Sequence, residues 1–251
     1  MGERDTDAEG TPPDTSKNDW EAVFWDIGGV ILDLESVARA HRRFIDALLE
    51  RHDLEYDPET ALEAWRRHVG EAFRERESHT YYPAREAYAR GTEAILDRDR
   101  PLEAEDWRPL FERVTQATIE PNPGAIPTIE ALAERPLHVG IISDVDNDEC
   151  RAILETFDII EAFDSITTSE AVGYTKPHPA MFETALEAAG VTPERALMIG
   201  DRYEHDIAGG ADAGLVPVSY GADPGPKTAY ECETLSEILE ILDSNTDSHH
   251  N

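Results

Sequence analysis

The chain has 251 residues, with 54 Asp and Glu against 22 Lys and Arg, which gives a formal net charge of −32. An acidic excess of this size excludes general binding to a nucleic-acid backbone, which needs clustered cations to displace counterions, and it disfavours an anionic membrane surface. Apolar residues still make up 40% of the chain, enough for a sizeable core in one large domain or in a core that carries an inserted subdomain.

Residues 1–19 are polar, acidic and broken by Gly10, Pro12 and Pro13, a composition expected of a disordered tail. Ala22 to Trp25 is a short apolar run that ends at Asp26 and Gly28-Gly29, the pattern of a buried strand entering a tight turn. From about Ser36 to Thr118 the apolar residues recur at helical spacing, as in Val37, Phe44, Ile45, Leu48 and Leu49 or in Trp107, Leu110, Phe111 and Val114. This block reads as a helical bundle over 35–120, inserted after the first strand. Beyond Pro121-Asn122-Pro123-Gly124 the pattern changes. Short runs at Leu137–Ile142, Ser165–Thr168, Ala196–Ile199 and Leu215–Ser219 alternate with helical segments at about 125–134, 147–157, 178–190 and 204–213. Such alternation predicts parallel βαβ units, a doubly wound α/β core formed by 20–34 and 121–245, whose ligand crevice lies at the carboxyl ends of the strands.

Polar residues cluster at those ends. The first strand leads to Asp26, the second to Ser143-Asp144, a later loop supplies Lys176-Pro177-His178-Pro179, and the fourth strand leads to Gly200-Asp201 with Asp206 shortly after. Taken singly, each has a plain structural reading: an Asp after a strand as a helix cap, Ser143 as a cap of the next helix, Asp206 as a solvated helix residue. Their joint occurrence in this order is hard to explain as capping.

In these segments the sequence resembles the haloacid dehalogenase superfamily of aspartate-nucleophile hydrolases, subclass I with a helical cap. FWDIGGV (Phe24 to Val30), IISD (Ile141 to Asp144), GYTKPHPAMF (Gly173 to Phe182) and GDRYEHDIAGGADAG (Gly200 to Gly214) match its four motifs, within a likeness that spans residues 21–243. The resemblance implies a Rossmann-like core and a nucleophilic Asp26 that carries the phosphoryl group of a small phosphorylated metabolite, splitting hydrolysis into two steps. It also implies Mg²⁺ held by Asp26, Asp201, Asp206 and the carbonyl of Gly28. Ser143, Lys176 and the backbone N–H groups around Gly28 and Gly29 would form the phosphate cradle. The charge logic agrees, since a carboxylate attacks a dianion only where cations gather.

One position departs from the family pattern. Phosphatases of this kind carry a second Asp two residues after the nucleophile, to protonate the leaving alcohol; here that residue is Gly28. Three readings follow: a phosphatase that works without this acid, a catalytically impaired phosphometabolite-binding pseudoenzyme, or a 2-haloacid dehalogenase, in which a halide leaves unprotonated. Retention of Asp201 and Asp206 favours a phosphorylated ligand, and retention of the whole set favours turnover.

Composition adds weight to Lys176. The lysines are Lys17, Lys176 and Lys227 alone, and a Lys-poor, evenly acidic chain fits a halophile's protein, whose self-repulsion concentrated salt screens. Cys150 and Cys232 are too few for a disulfide scaffold and fit a reducing cytosol. With no long apolar run and no signal-peptide pattern, the expectation is a soluble cytoplasmic monomer or homodimer. His41, His52, His68 and His79 read as surface or packed residues, and Trp65, Phe73, Tyr81, Tyr82 and Tyr88 as core of the helical block; Asp33 suits either a flap over the site or a helix cap, and His249-His250 is too short a tract to assign.

Overall fold

The computed structural model describes residues 20–96, 102–221 and 224–244. The expected acidic tail, His249-His250 and the last residue of the predicted core lie outside them.

Six parallel strands form one sheet in the order β3-β2-β1-β4-β5-β6. They are β1 (Ala22–Trp25), β2 (His138–Ser143), β3 (Ser165–Thr168), β4 (Ala196–Gly200), β5 (Val216–Tyr220) and β6 (Tyr230–Cys232). β1 sits at the centre, pairing with β2 (Ala22 opposite His138, Trp25 opposite Ile141) and with β4 (Ala22 opposite Ala196, Trp25 opposite Ile199). All four residues of β1 are buried, because helices cover both faces: Val23 and Trp25 pack into one apolar cluster with Ile129, Val139 and Leu154, while Ala22 and Phe24 pack into another with Met181, Phe182 and Met198. The predicted strand positions hold, and β6, a three-residue edge strand, adds to them.

Between β1 and β2 come α1 (Leu34–His52), α2 (Pro58–Arg74), α3 (Ala84–Leu96), α4 (Ala104–Gln116) and α5 (Ala125–Ala133). The first four share an apolar core of their own, in which Phe44, Leu48, Leu62, Trp65, Trp107 and Phe111 are buried. Trp65 lies stacked on Tyr88 at 5.5 Å between ring centres. Asp33 resolves as the N-cap of α1, accepting from the amides of Glu35 (3.0 Å) and Ser36 (2.9 Å), which satisfies donors that a helix start leaves open. Asp57 caps α2 in the same way, ahead of Pro58. The chain leaves the sheet for this helical layer and returns side by side: Asp33 N–H donates to the Glu120 carbonyl (3.0 Å) and Asn122 N–H to that of Ile31 (2.8 Å).

Two further contacts tie the layer to the sheet. The first amides of α3 are capped from outside their own segment: Ala84 N–H (2.9 Å) and Arg85 N–H (3.1 Å) donate to Asp146, which also accepts from the Tyr81 hydroxyl (2.7 Å). Asp146 is itself the residue before α6 (Asn147–Thr156). The loop ahead of α3 then pairs with the segment before Lys176, Thr175 N–H donating to the His79 carbonyl (2.7 Å) and Tyr81 N–H to that of Gly173 (3.0 Å).

The remaining helices are α7 (Ser169–Val172), α8 (Pro179–Ala189), α9 (Gly209–Asp212) and α10 (Glu237–Ser244). The helix expected over 204–213 opens instead as a wide turn at Tyr203–Ala208, where the amides of Asp206 (2.9 Å) and Ile207 (3.5 Å) both point at the Arg202 carbonyl before α9 continues. Wide turns of this kind recur at functional sites.

Candidate active site

Each predicted residue stands at the carboxyl edge of the sheet, and the fold brings most of them within contact. Asp26 follows β1 and Ser143 ends β2; both are buried. The Ser143 hydroxyl donates to Asp26 Oδ1 (2.7 Å), which also accepts from the Ile27 amide (2.8 Å). Lys176 arrives on the loop between α7 and α8 and is wholly enclosed. Its Nζ lies 3.0 Å from Asp26 Oδ1 and 2.6 Å from Asp206 Oδ1, and donates to the Ile142 carbonyl (2.9 Å). Asp201 and Asp206 come from the segment after β4. One carboxylate oxygen from each of Asp26, Asp201 and Asp206 falls within 4.8 Å of the others, and this is the one such group of acids, histidines or cysteines among the described residues.

Two glycines make these approaches possible. A Cβ on Gly29 would stand 1.9 Å from Asp201 Oδ2, and its backbone is left-handed at φ 78°, where only glycine sits without strain; a Cβ on Gly200 would stand 2.0 Å from Asp206 Cβ. Gly28 differs, since a Cβ there would meet only Leu34 Cδ2, at 3.9 Å. Of the two amides expected to cradle phosphate, that of Gly29 is already committed, donating to the Leu32 carbonyl (3.0 Å) as the turn closes. The amide of Gly28 donates to no described residue, which leaves it as the one of the two that is not engaged.

Asp144, Arg202 and His205 form a second set of residues beside the first. Asp144 accepts from the Lys176 amide (2.7 Å) and from Arg202 (3.0 Å), with His205 Nδ1 at 3.3 Å, and Arg202 also reaches to 3.9 Å from Asp26 Oδ2. Only their adjacency to Ser143 and Asp201 hinted at them.

The charge balance is uneven: four carboxylates (Asp26, Asp144, Asp201, Asp206) face two permanent cations (Lys176, Arg202). Burial opposes charge on Lys176, but Asp206, Asp26 and Asp144 outweigh it and raise its pKa. Burial also pushes Asp144 up, yet the His205 hydrogen bond with the charges of Lys176 and Arg202 brings it down to about 2. Asp26 and Asp201 bear the surplus: burial raises Asp26 above the usual carboxylate range in spite of Lys176, and burial, then the charges of Asp26 and Asp206, push Asp201 up to about 6. Its Oδ1 is buried without any hydrogen-bond partner. An all-oxygen donor set with a stranded buried acceptor and surplus negative charge fits a hard divalent cation such as Mg²⁺.

Above these residues lies a cavity of about 220 Å³. Gly28, Ser143 and Asp144 line it from the sheet; Phe73, Arg76, Tyr81, Tyr82 and Tyr88 line it from the helical layer. The aromatic group therefore divides: Trp65 belongs to the helical core as expected, while the other four also face the crevice. Arg76 was not singled out in the sequence, because nothing local marks a residue just past the end of α2 as part of a site.

Comparison with known proteins agrees with this arrangement. Residues 20–214 match the family model described as haloacid dehalogenase-like hydrolase. A curated relative, the glyceraldehyde 3-phosphate phosphatase of Methanothermobacter thermautotrophicus, is 26% identical over 195 residues, covering 78% of this chain and 83% of its own. Among solved structures, a HAD phosphatase from Thermococcus onnurineus superposes with a TM-score of 0.66 at 28% identity, over 88% of this chain and 97% of that one. The L-2-haloacid dehalogenase of Xanthobacter autotrophicus shares the fold (TM-score 0.64, 18% identity, 89% and 98% covered).

Proposed function

The chain belongs to the haloacid dehalogenase-like hydrolases, and on that premise we propose that it is a Mg²⁺-dependent phosphatase that hydrolyses a small phosphorylated metabolite through a phosphoryl group carried on Asp26. The observation that carries the reading is the buried charge cluster. A fully enclosed lysine stands between Asp26 and Asp206, beside a third acid, Asp201, that holds an unmatched oxygen.

Asp26 Oδ1 is engaged by Ser143, Lys176 and the Ile27 amide, which leaves Oδ2 as the freer oxygen. In the first step an oxygen of Asp26 bonds to phosphorus, the bond to the leaving oxygen breaks, and the leaving oxygen departs with the electron pair and takes a proton from water. A second water then attacks the same phosphorus and gives up a proton to solvent, phosphate departs, and the Asp26 carboxylate is restored. The Ser143 hydroxyl and the Lys176 ammonium are the donors placed to hold the phosphoryl oxygens, with the Gly28 amide beside them. Asp26, Asp201, Asp206 and the Gly28 carbonyl would hold Mg²⁺, which when bound supplies positive charge to offset that of the phosphoryl group. The helical layer of 35–120 serves as a cap that shapes the leaving-group side of the cavity over a core of 20–34 and 121–245.

Gly28 gives the pseudoenzyme reading its one supporting observation, and the dehalogenase shares the fold. The dehalogenase does not account for the three-carboxylate cluster as directly, since loss of a halide needs no cation to offset a dianion; a phosphometabolite binder would use the cluster equally, and turnover separates it from the proposal. The deciding assay is phosphate release from p-nitrophenyl phosphate in molar KCl. Activity that needs Mg²⁺, disappears with EDTA and is lost in Asp26→Asn supports the proposal. Chloride release from 2-chloropropionate, unaffected by EDTA, overturns it.

A further inference from the structure

The cavity beside Asp26 has a charge pattern that a phosphate alone does not explain. Its acids already have partners. Asp144 is bound by Lys176, Arg202 and His205, and Asp146 by Tyr81, Arg85 and the first amides of α3; Glu149 is crowded by burial and the Asp146 charge, which push its carboxyl up to about 7. Arg76 is the one basic side chain among the described lining residues. It is partly buried, and it forms no ion pair or hydrogen bond with any described residue, in a chain where acids outnumber bases 54 to 22.

Several other arginines are also unpaired, but they do not line this cavity. At the surface a free guanidinium is simply hydrated. On a cavity wall it loses part of that hydration and gains nothing in return until an oxyanion enters, and its planar fork of donors matches a carboxylate or phosphate with two parallel hydrogen bonds. Arg76 lines the same cavity from the helical layer that Gly28, Ser143 and Asp144 line from the sheet. A phosphate seated against Ser143, at the sheet side, therefore leaves Arg76 to meet a part of the substrate other than the phosphate. A space of about 220 Å³ lined by both layers has room for a small phosphate ester.

We propose, on the basis of the phosphatase reading, that Arg76 is a specificity-determining residue and that the substrate class is small phosphate esters carrying a second oxyanion apart from the phosphate. The leaving group is then itself an anion held by Arg76, and Arg76 takes no part in the bond changes at phosphorus.

The test compares 3-phosphoglycerate with glycerol 3-phosphate, which differ in a carboxylate against a hydroxymethyl group, for the full chain with Mg²⁺ at one fixed KCl concentration. A charge-assisted pair corresponds to a preference of about 10–150-fold in kcat/KM for the carboxylate. Arg76→Ala should bring that ratio close to one, mainly through KM, and Arg76→Lys should restore part of it. Equal wild-type kcat/KM values, or an Arg76→Ala loss shared equally by both esters, overturns the proposal while hydrolysis of p-nitrophenyl phosphate leaves the phosphatase reading standing. If no ester is hydrolysed, the phosphatase reading fails instead. Calorimetric binding of the same two esters then decides on Arg76: a matching preference that Arg76→Ala abolishes supports its role, and equal affinities refute it.

Discussion

Replacing Lys176 with Met keeps the length of the side chain and removes its charge, so the variant isolates what the ammonium does for its neighbours. In the native arrangement Nζ lies 3.0 Å from Asp26 and 2.6 Å from Asp206, and none of these side chains is exposed by more than 4%. Without Lys176 both carboxylates stay enclosed, Asp206 without an adjacent counter-charge and Asp26 with Arg202 alone at 3.9 Å, and breaking a buried pair from one side costs about 3–5 kcal/mol. At about 2–4 °C per kcal/mol for a domain of this size, Lys176→Met should unfold roughly 6–20 °C below the wild type. Thermal unfolding by circular dichroism, at fixed pH and KCl with chelator present, measures this directly. Asp206→Asn should be less harmful in the Lys176→Met background than in the wild type, with a coupling of up to about 3 kcal/mol. A variant that melts within about 2 °C of the wild type, or strict additivity in the double mutant, would refute the buried-cluster reasoning.

Gly28→Asp should fold normally, because a Cβ there meets only Leu34 Cδ2 at 3.9 Å, and it should raise turnover of alkyl phosphates relative to p-nitrophenyl phosphate by up to about 10²–10⁴-fold; an unchanged ratio in steady-state assays would mean that protonation of the leaving group is not limiting. Gly29→Ala should cost about 1–3 kcal/mol in denaturant unfolding and abolish Mg²⁺-dependent activity, since its φ of 78° and a Cβ 1.9 Å from Asp201 Oδ2 would force the carboxylate aside; wild-type activity would contradict the packing. Glu149 is pushed from 4.5 up to about 7, first by burial and then by Asp146, so the stability tied to its protonated form is complete below about pH 4.5 and lost as pH rises through about 7. Its loss amounts to about 3 kcal/mol, and the gap between urea midpoints at about pH 5 and pH 8 should narrow in Glu149→Gln, the rest of the gap belonging to groups such as Asp201, pushed up to about 6; an unchanged pH slope would count against the shift.

Much of the core was legible because its central strands are buried on both faces and read as unbroken apolar runs, as Ala22–Trp25 and Ala196–Gly200 do. β6 was not, being three residues long at the sheet edge with Glu231 in its middle, whereas α10 after it does carry a start signal, Thr234 and Glu237, whose carboxylate accepts from the Thr234 amide at 2.9 Å. Asp26, Ser143, Lys176, Asp201 and Asp206 could be found because parallel topology gathers strand ends, so a polar residue after each apolar run is already a spatial statement. Arg202 meets Asp144 across 58 positions and Tyr81 meets Asp146 across 65, distances over which local pattern carries no information. The same holds for Arg76, which lines the cavity together with distant residues of the sheet side. The commitment of the Gly29 amide to Leu32 depends on how the turn closes, which the dipeptide alone leaves open.

The central claim is that phosphoryl transfer passes through Asp26. The most direct measurement is mass spectrometry of the tryptic peptide spanning residues 18–39 after rapid acid quench during turnover of p-nitrophenyl phosphate with Mg²⁺. The account predicts a fraction of this peptide heavier by one phosphoryl group, with fragmentation placing the addition on Asp26, and no such species in Asp26→Asn. Steady hydrolysis with the peptide never modified, or the same modified peptide in Asp26→Asn, would contradict it.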